Sequence, residues 1–101
     1  MLREIRRKII SGEFELSKHA VDQSIFRKIR IKEIREMINN GKIIEDYPDD
    51  KYGASCLICG FTMVNRPLHI HCSYPSRPIL KIITLYQPTQ EGWQNNFTIR
   101  R

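Results

Sequence analysis

The chain has 101 residues, 41% of them hydrophobic, enough for one core and a single domain over 1–101. No apolar run nears the ~18 residues of a membrane span, and the charged start Met1-Leu2-Arg3-Glu4-Ile5-Arg6-Arg7-Lys8 leads into no signal-peptide core. A soluble cytoplasmic protein with no membrane partner is expected, and its net charge of +6 favours a polyanion such as RNA, or an acidic protein.

The charge is unevenly spread. Residues 1–40 carry ten basic and six acidic groups, residues 41–63 two and four, and residues 64–101 five and one. Three cysteines are an odd number, which argues against a closed disulfide framework and for reduced thiols.

Leu2, Ile5, Ile9 and Ile10 recur at helical spacing, and Ser11-Gly12 ends that helix. Phe14-Glu15-Leu16 reads as a short extended link. Ser17 is placed to N-cap a second helix over about Lys18 to Lys28. Ala20, Val21 and Ile25 form its expected buried side, while His19, Gln23 and Arg27 stack at i, i+4 and i+8. A third helix runs from about Ile31 to Asn40, with Ile31, Ile34, Met37 and Ile38 as its stripe. Lys42 to Tyr47 reads as a strand stopped by Pro48-Asp49-Asp50.

Three apolar runs follow, 55–63, 66–73 and 79–86, separated by Val64-Asn65-Arg66-Pro67 and Tyr74-Pro75-Ser76-Arg77-Pro78. Short connectors with turn chemistry predict an antiparallel meander with 66–73 in its middle. Alternation in that middle strand points Leu68, Ile70 and Cys72 to one side, and His69, His71 and Ser73 to the other. Past Pro88 the tail is polar apart from Trp93 and Phe97. The expected fold class is α+β, with N-terminal helices packed on an antiparallel sheet of about four strands.

Three chemistries compete for these residues. Cys56-x2-Cys59 followed by His69-x-His71-Cys72 offers soft ligands for zinc. In a continuous strand, however, positions i and i+3 face opposite sides, so no metal site is expected and no cofactor is assigned. Nucleophilic cysteine catalysis fails because His71 and Cys72 are neighbours on opposite faces of one strand. Metal-independent RNA cleavage needs a base for the 2′-OH proton, an acid for the leaving oxygen, and cations for the phosphorane. His19 and Arg27 on one helix face, His69 and His71 on the central strand, and Tyr86 at the end of its neighbour supply those types.

Several motifs resemble the bacterial family of domains of unknown function numbered 4258. They are Ser17-Lys18-His19-Ala20, then Arg27 and Ile29, and the run Asn40-Gly41-Lys42-Ile43-Ile44-Glu45-Asp46-Tyr47-Pro48-Asp49-Asp50. Arg66-Pro67-Leu68-His69, Ile83-Thr84-x-Tyr86-x-Pro88 and Trp93 complete the pattern. One position departs from it: relatives often carry Arg where this chain has Gln23.

The resemblance implies likeness to RelE-like and plasmid-encoded toxins, small basic endoribonucleases with a microbial-RNase-like α+β fold. It also implies a type II toxin–antitoxin system and a cognate antitoxin, of the zinc-binding MqsA kind. On this reading His19, Arg27, His69 and Tyr86 form one catalytic cleft, and Lys18, Gln23, Arg30, Arg66 and Arg77 contact RNA. The alternative is a non-enzymatic basic module for RNA or an acidic protein.

Overall fold

A computed structural model describes residues 1–101. In chain order the elements are α1 (Leu2–Ser11), β1 (Phe14–Leu16), α2 (Lys18–Phe26), α3 (Ile31–Asn39), β2 (Lys42–Tyr47), β3 (Ser55–Phe61), β4 (Pro67–Ser73), β5 (Leu80–Tyr86), β6 (Trp93–Gln94) and β7 (Ile99–Arg100). The main sheet runs β1-β5-β4-β3-β2, and β6-β7 form a separate two-stranded hairpin. The class is α+β, and no helix is long and apolar enough to cross a membrane.

The meander is as expected, with β4 paired antiparallel to β3 and to β5. The sheet has five strands rather than about four because Phe14–Leu16 is not a link. It pairs parallel to β5, with Phe14 opposite Leu80 and Leu16 opposite Ile82.

Helix boundaries follow local chemistry. Gly12 adopts φ 82, the left-handed conformation that closes α1 at little steric cost. The Ser17 hydroxyl accepts the Ala20 amide at 3.0 Å and donates to the Ile83 carbonyl at 2.7 Å, so one side chain caps α2 and ties it to β5. At the start of α3, Glu33 Oε1 accepts the Arg30 amide at 2.9 Å.

One face of the sheet carries the core. Ile5, Ile9, Ala20, Ile29, Ile34, Met37 and Ile38 from the helical segments meet Ile58, Leu68, Ile70, Leu80, Ile82 and Leu85 from the strands. Each large aliphatic side chain buried this way contributes roughly 1.5–3 kcal/mol. α3 lies so close to β3 that a Cβ at Gly60 would sit 2.1 Å from the Met37 carbonyl oxygen. α2 engages differently from expectation. Ala20 is buried, but Val21, Ile25 and Phe26 are 41%, 71% and 79% exposed. A short helix docked through its smallest residue and its cap leaves its larger apolar side chains outside.

Candidate functional site

Two β-bulges set the opposite face of the sheet. The pairing shifts between His71 and Cys72 against β5, and between Ile43 and Glu45 along β2. Each bulge advances the alternation by one residue. Tyr86 and Thr84 therefore join His69 and His71 on the face away from the helices, as do Glu45 and Tyr47, opposite Leu57 and Ser55.

The C-terminal hairpin covers one end of this face. Trp93 is buried edge-on against His69, with ring centroids 4.5 Å apart. Asn95, Asn96 and Phe97 take φ of 51°, 58° and 67° in the turn between β6 and β7. Asn tolerates that region, whereas Phe97 is held there at a cost. Its carbonyl lies 2.8 Å from His69 Nε2. Arg100 donates to both Glu45 carboxylate oxygens, at 2.9 and 3.1 Å, and its guanidinium lies 4.6 Å from the Trp93 ring centre.

His69 is completely buried, and burial lowers its pKa below the usual histidine value. A carbonyl only accepts, so the neutral ring carries its hydrogen on Nε2 toward Phe97. Nδ1 is then the acceptor for the Tyr86 hydroxyl at 3.1 Å. Burial pushes the Tyr86 phenol up, so it keeps the proton that this bond uses.

His71 is the imidazole that the hairpin leaves open. It lines a concave pocket of about 310 Å³ with Tyr47, Asp50, Thr84, Tyr86 and Arg100. Its Nε2 lies 2.8 Å from the Ser55 hydroxyl, while its Nδ1 makes no bond within the protein and is open to solvent. The Ser55 hydroxyl donates to Asp50 at 3.4 Å. With that proton turned toward the carboxylate, the Ser55 oxygen accepts Nε2–H and Nδ1 keeps its lone pair free. Burial lowers the His71 pKa, with the Asp50 carboxylate opposing, which favours the neutral ring. Tyr47 stands edge-on to it at 5.6 Å. Burial, then its bond to Glu45, pushes the Tyr47 phenol up to about 12.

The family match supports the sequence resemblance. A family model described as Domain of unknown function (DUF4258) matches residues 16–87. The chain belongs to the DUF4258 family. No curated protein and no solved structure matches it. The DUF4258 match contains His19, Arg27, His69, His71 and Tyr86 but ends before Trp93, Phe97 and Arg100. The hairpin that buries His69 thus lies outside the matched residues.

Of the four residues expected to share a catalytic cleft, His69 and Tyr86 are brought together. His19 is not with them. It is exposed on α2, a helix docked on the core face, while His69 lies on the other face beneath the hairpin. Arg27 stays on the α2 surface, where its Nε donates to Gln23 at 2.9 Å. The shared cleft of His19, Arg27, His69 and Tyr86 is corrected accordingly.

The expected RNA contacts are also scattered. Lys18 faces Asp22 at 3.6 Å, and Arg30 lies 3.7 Å from Glu33. Arg66 is an internal tie rather than a free cation. It donates to Glu33 at 2.9 Å, to Gln87 at 2.7 Å, and to the Arg27 and Lys28 carbonyls at 2.9 and 3.1 Å. Arg77 is exposed, with no acidic partner.

The cysteines diverge. Cys56 belongs to the helix-side core and Cys59 pairs with His69 on the opposite face, so the pair does not converge. No group of three or more His, Cys, Asp or Glu side chains is placed to hold a metal. Burial pushes the Cys59 thiol up to about 11, and contact with Cys56 together with burial pushes Cys72 far up.

His71 is among the acid–base candidates of the sequence, whereas Ser55, Tyr47, Asp50, Thr84 and Arg100 are not. Alternation did place His71 beside His69, and Tyr47 and Asp50 stand in the family run that precedes the meander. Nothing in the polar tail signalled that Arg100 reaches the sheet.

Proposed function

We propose that this chain is a metal-independent endoribonuclease of the toxin kind, acting through the His71 pocket and held in check by an acidic antitoxin. The observation that carries this reading is an imidazole that lines a concave pocket, with one nitrogen fixed by Ser55 and the other without a partner in the protein. His71 Nδ1 takes the proton of a ribose 2′-OH, and that oxygen attacks the adjacent phosphorus. The product is a 2′,3′-cyclic phosphate, and the departing 5′-oxygen needs a proton. Tyr86, whose hydroxyl can rotate from His69 into the pocket it lines, supplies it. Arg100 at the rim meets the charge on the phosphorane, exchanging part of its bond to Glu45 for the phosphate.

The antitoxin surface on this reading is the exposed strip Val21, Ile25 and Phe26, flanked by Arg27 and Lys28. An acidic amphipathic segment matches both its apolar and its basic parts.

A second reading is a binding module without catalysis. It is favoured by the closed Arg100–Glu45 pair and by complete burial of His69, which leave fewer free groups for chemistry. Labelled single-stranded RNA incubated with purified protein in EDTA separates the two. Cleavage to cyclic-phosphate ends, lost when the ribose is replaced by deoxyribose, supports the nuclease. Binding without cleavage supports the module.

A further inference from the structure

The open sheet face continues past the His71 pocket into a second concavity of about 510 Å³, lined by Tyr52, Ser73, Tyr74, Ser76, Arg77 and Lys81 among others. Ser73 lies two residues beyond His71 on the same side of β4, roughly 7 Å along the strand at ~3.4 Å per residue. Ile83 and Thr84, neighbours in β5, line the second and the first cavity respectively. The two hollows therefore share one surface and one approach direction.

The lining of the second hollow has the parts of a nucleotide site. Tyr52 is 84% exposed, with the Lys51 ammonium 5.0 Å from its ring centre as its aromatic-face contact. Tyr74 is fixed by a 2.5 Å hydrogen bond to Asp46, so its ring is a set wall rather than a loose one. Arg77 is an unpaired guanidinium at the same hollow, whereas Lys81 is shared with Glu15 at 2.8 Å. The Ser73 oxygen accepts the Lys81 amide at 3.0 Å, which leaves its own hydrogen free to donate. An aromatic face, an unpaired cation and a free hydroxyl beside a proton-transfer site are what a nucleotide requires: stacking for the base, charge for the phosphate, and a donor for sugar or phosphate oxygen.

We infer that this hollow binds the nucleotide of single-stranded RNA next to the one held at His71, with its base on Tyr52 and its phosphate on Arg77. The assignment rests on the RNA-directed reading of the sheet face, but not on cleavage. Stacking on tyrosine tolerates every base, so this subsite contributes affinity and register with little sequence preference.

The test is fluorescence anisotropy with a short labelled RNA made uncleavable by 2′-O-methylation at every ribose, across a salt series. Tyr52→Ala is expected to weaken binding roughly 5- to 150-fold, and Tyr52→Phe to retain it. Arg77→Ala is expected to weaken binding and lower the salt slope by about one. Both side chains are exposed, and circular dichroism verifies that the variants fold. Parental affinity and slope in Tyr52→Ala and Arg77→Ala overturn the subsite. So does competition by poly-glutamate as effective as that by unlabelled RNA, which assigns the hollow to an acidic protein. Loss of binding in these variants of a protein that never cleaves RNA removes the nuclease reading and leaves the subsite standing.

Discussion

Tyr86 donates its phenolic hydrogen to His69, and His69 passes the polarity on to the Phe97 carbonyl, so three distant points of the chain form one hydrogen-bond line. His69 is therefore first a structural residue, held under Trp93 with both ring nitrogens occupied. His69→Ala removes a packed ring and leaves Tyr86 and Phe97 without their partner. A loss of about 2–4 kcal/mol is expected. For a domain of this size that lowers Tm by at least about 8 °C. The measurement is a thermal melt, and a Tm within 2 °C of the parent rules out this role.

The same burial makes stability depend on pH. His69 and His71 both have folded pKa values below the ordinary 6.5. The unfolded chain thus binds protons first as pH falls. The stabilisation is complete above about 6.5 and is lost progressively as pH drops through and below that value. Urea midpoints should decline from pH 7 to 5, and less steeply in His69→Ala. An equal slope in the variant contradicts the assignment to His69.

Arg66 and Glu33 give a second, separate limb. Burial alone would raise Glu33, but the Arg30 amide and the Arg66 guanidinium outweigh it and hold the carboxyl below its usual value. That contribution is complete above about 4.5 and is lost as pH falls through and below it. Arg66→Ala strands a mostly buried carboxylate and frees the end of α2, at an expected cost of about 2–3 kcal/mol. RNA affinity should change little where the variant remains folded.

Gly60 fixes the distance between α3 and the sheet. Gly60→Ala forces a methyl against backbone that cannot move aside like a flexible side chain. The expected loss exceeds about 3 kcal/mol, read from the urea midpoint. Phe26→Ser is the converse case. Its ring is 79% exposed, so stability should stay within about 0.5 kcal/mol while affinity for an acidic partner falls.

The meander and the common side of His69 and His71 were legible because alternation and turn chemistry are local. So was the Ser17 cap, which needs only the following turn. β1 was not legible as a strand, since three residues carry no alternation and its partner lies over sixty positions away. The separation of His19 from His69 was hidden for a related reason. Spacing along α2 describes the helix face, but which side of the sheet receives it is set by Ala20 and by the Ser17–Ile83 bond. The difference between His69 and His71 was hidden too. It is made by the tail: two asparagines and a phenylalanine with positive φ turn Trp93 over one imidazole and leave the other open.

The most direct test of His71 as the proton acceptor compares His71→Ala with His19→Ala on labelled single-stranded RNA in EDTA. The expected result is cyclic-phosphate cleavage by the parent, a fall of about 10²–10⁴ in rate for His71→Ala with little change in Tm, and near-parental cleavage by His19→Ala. No cleavage by the parent, or a His71→Ala variant that cleaves like the parent, would contradict it.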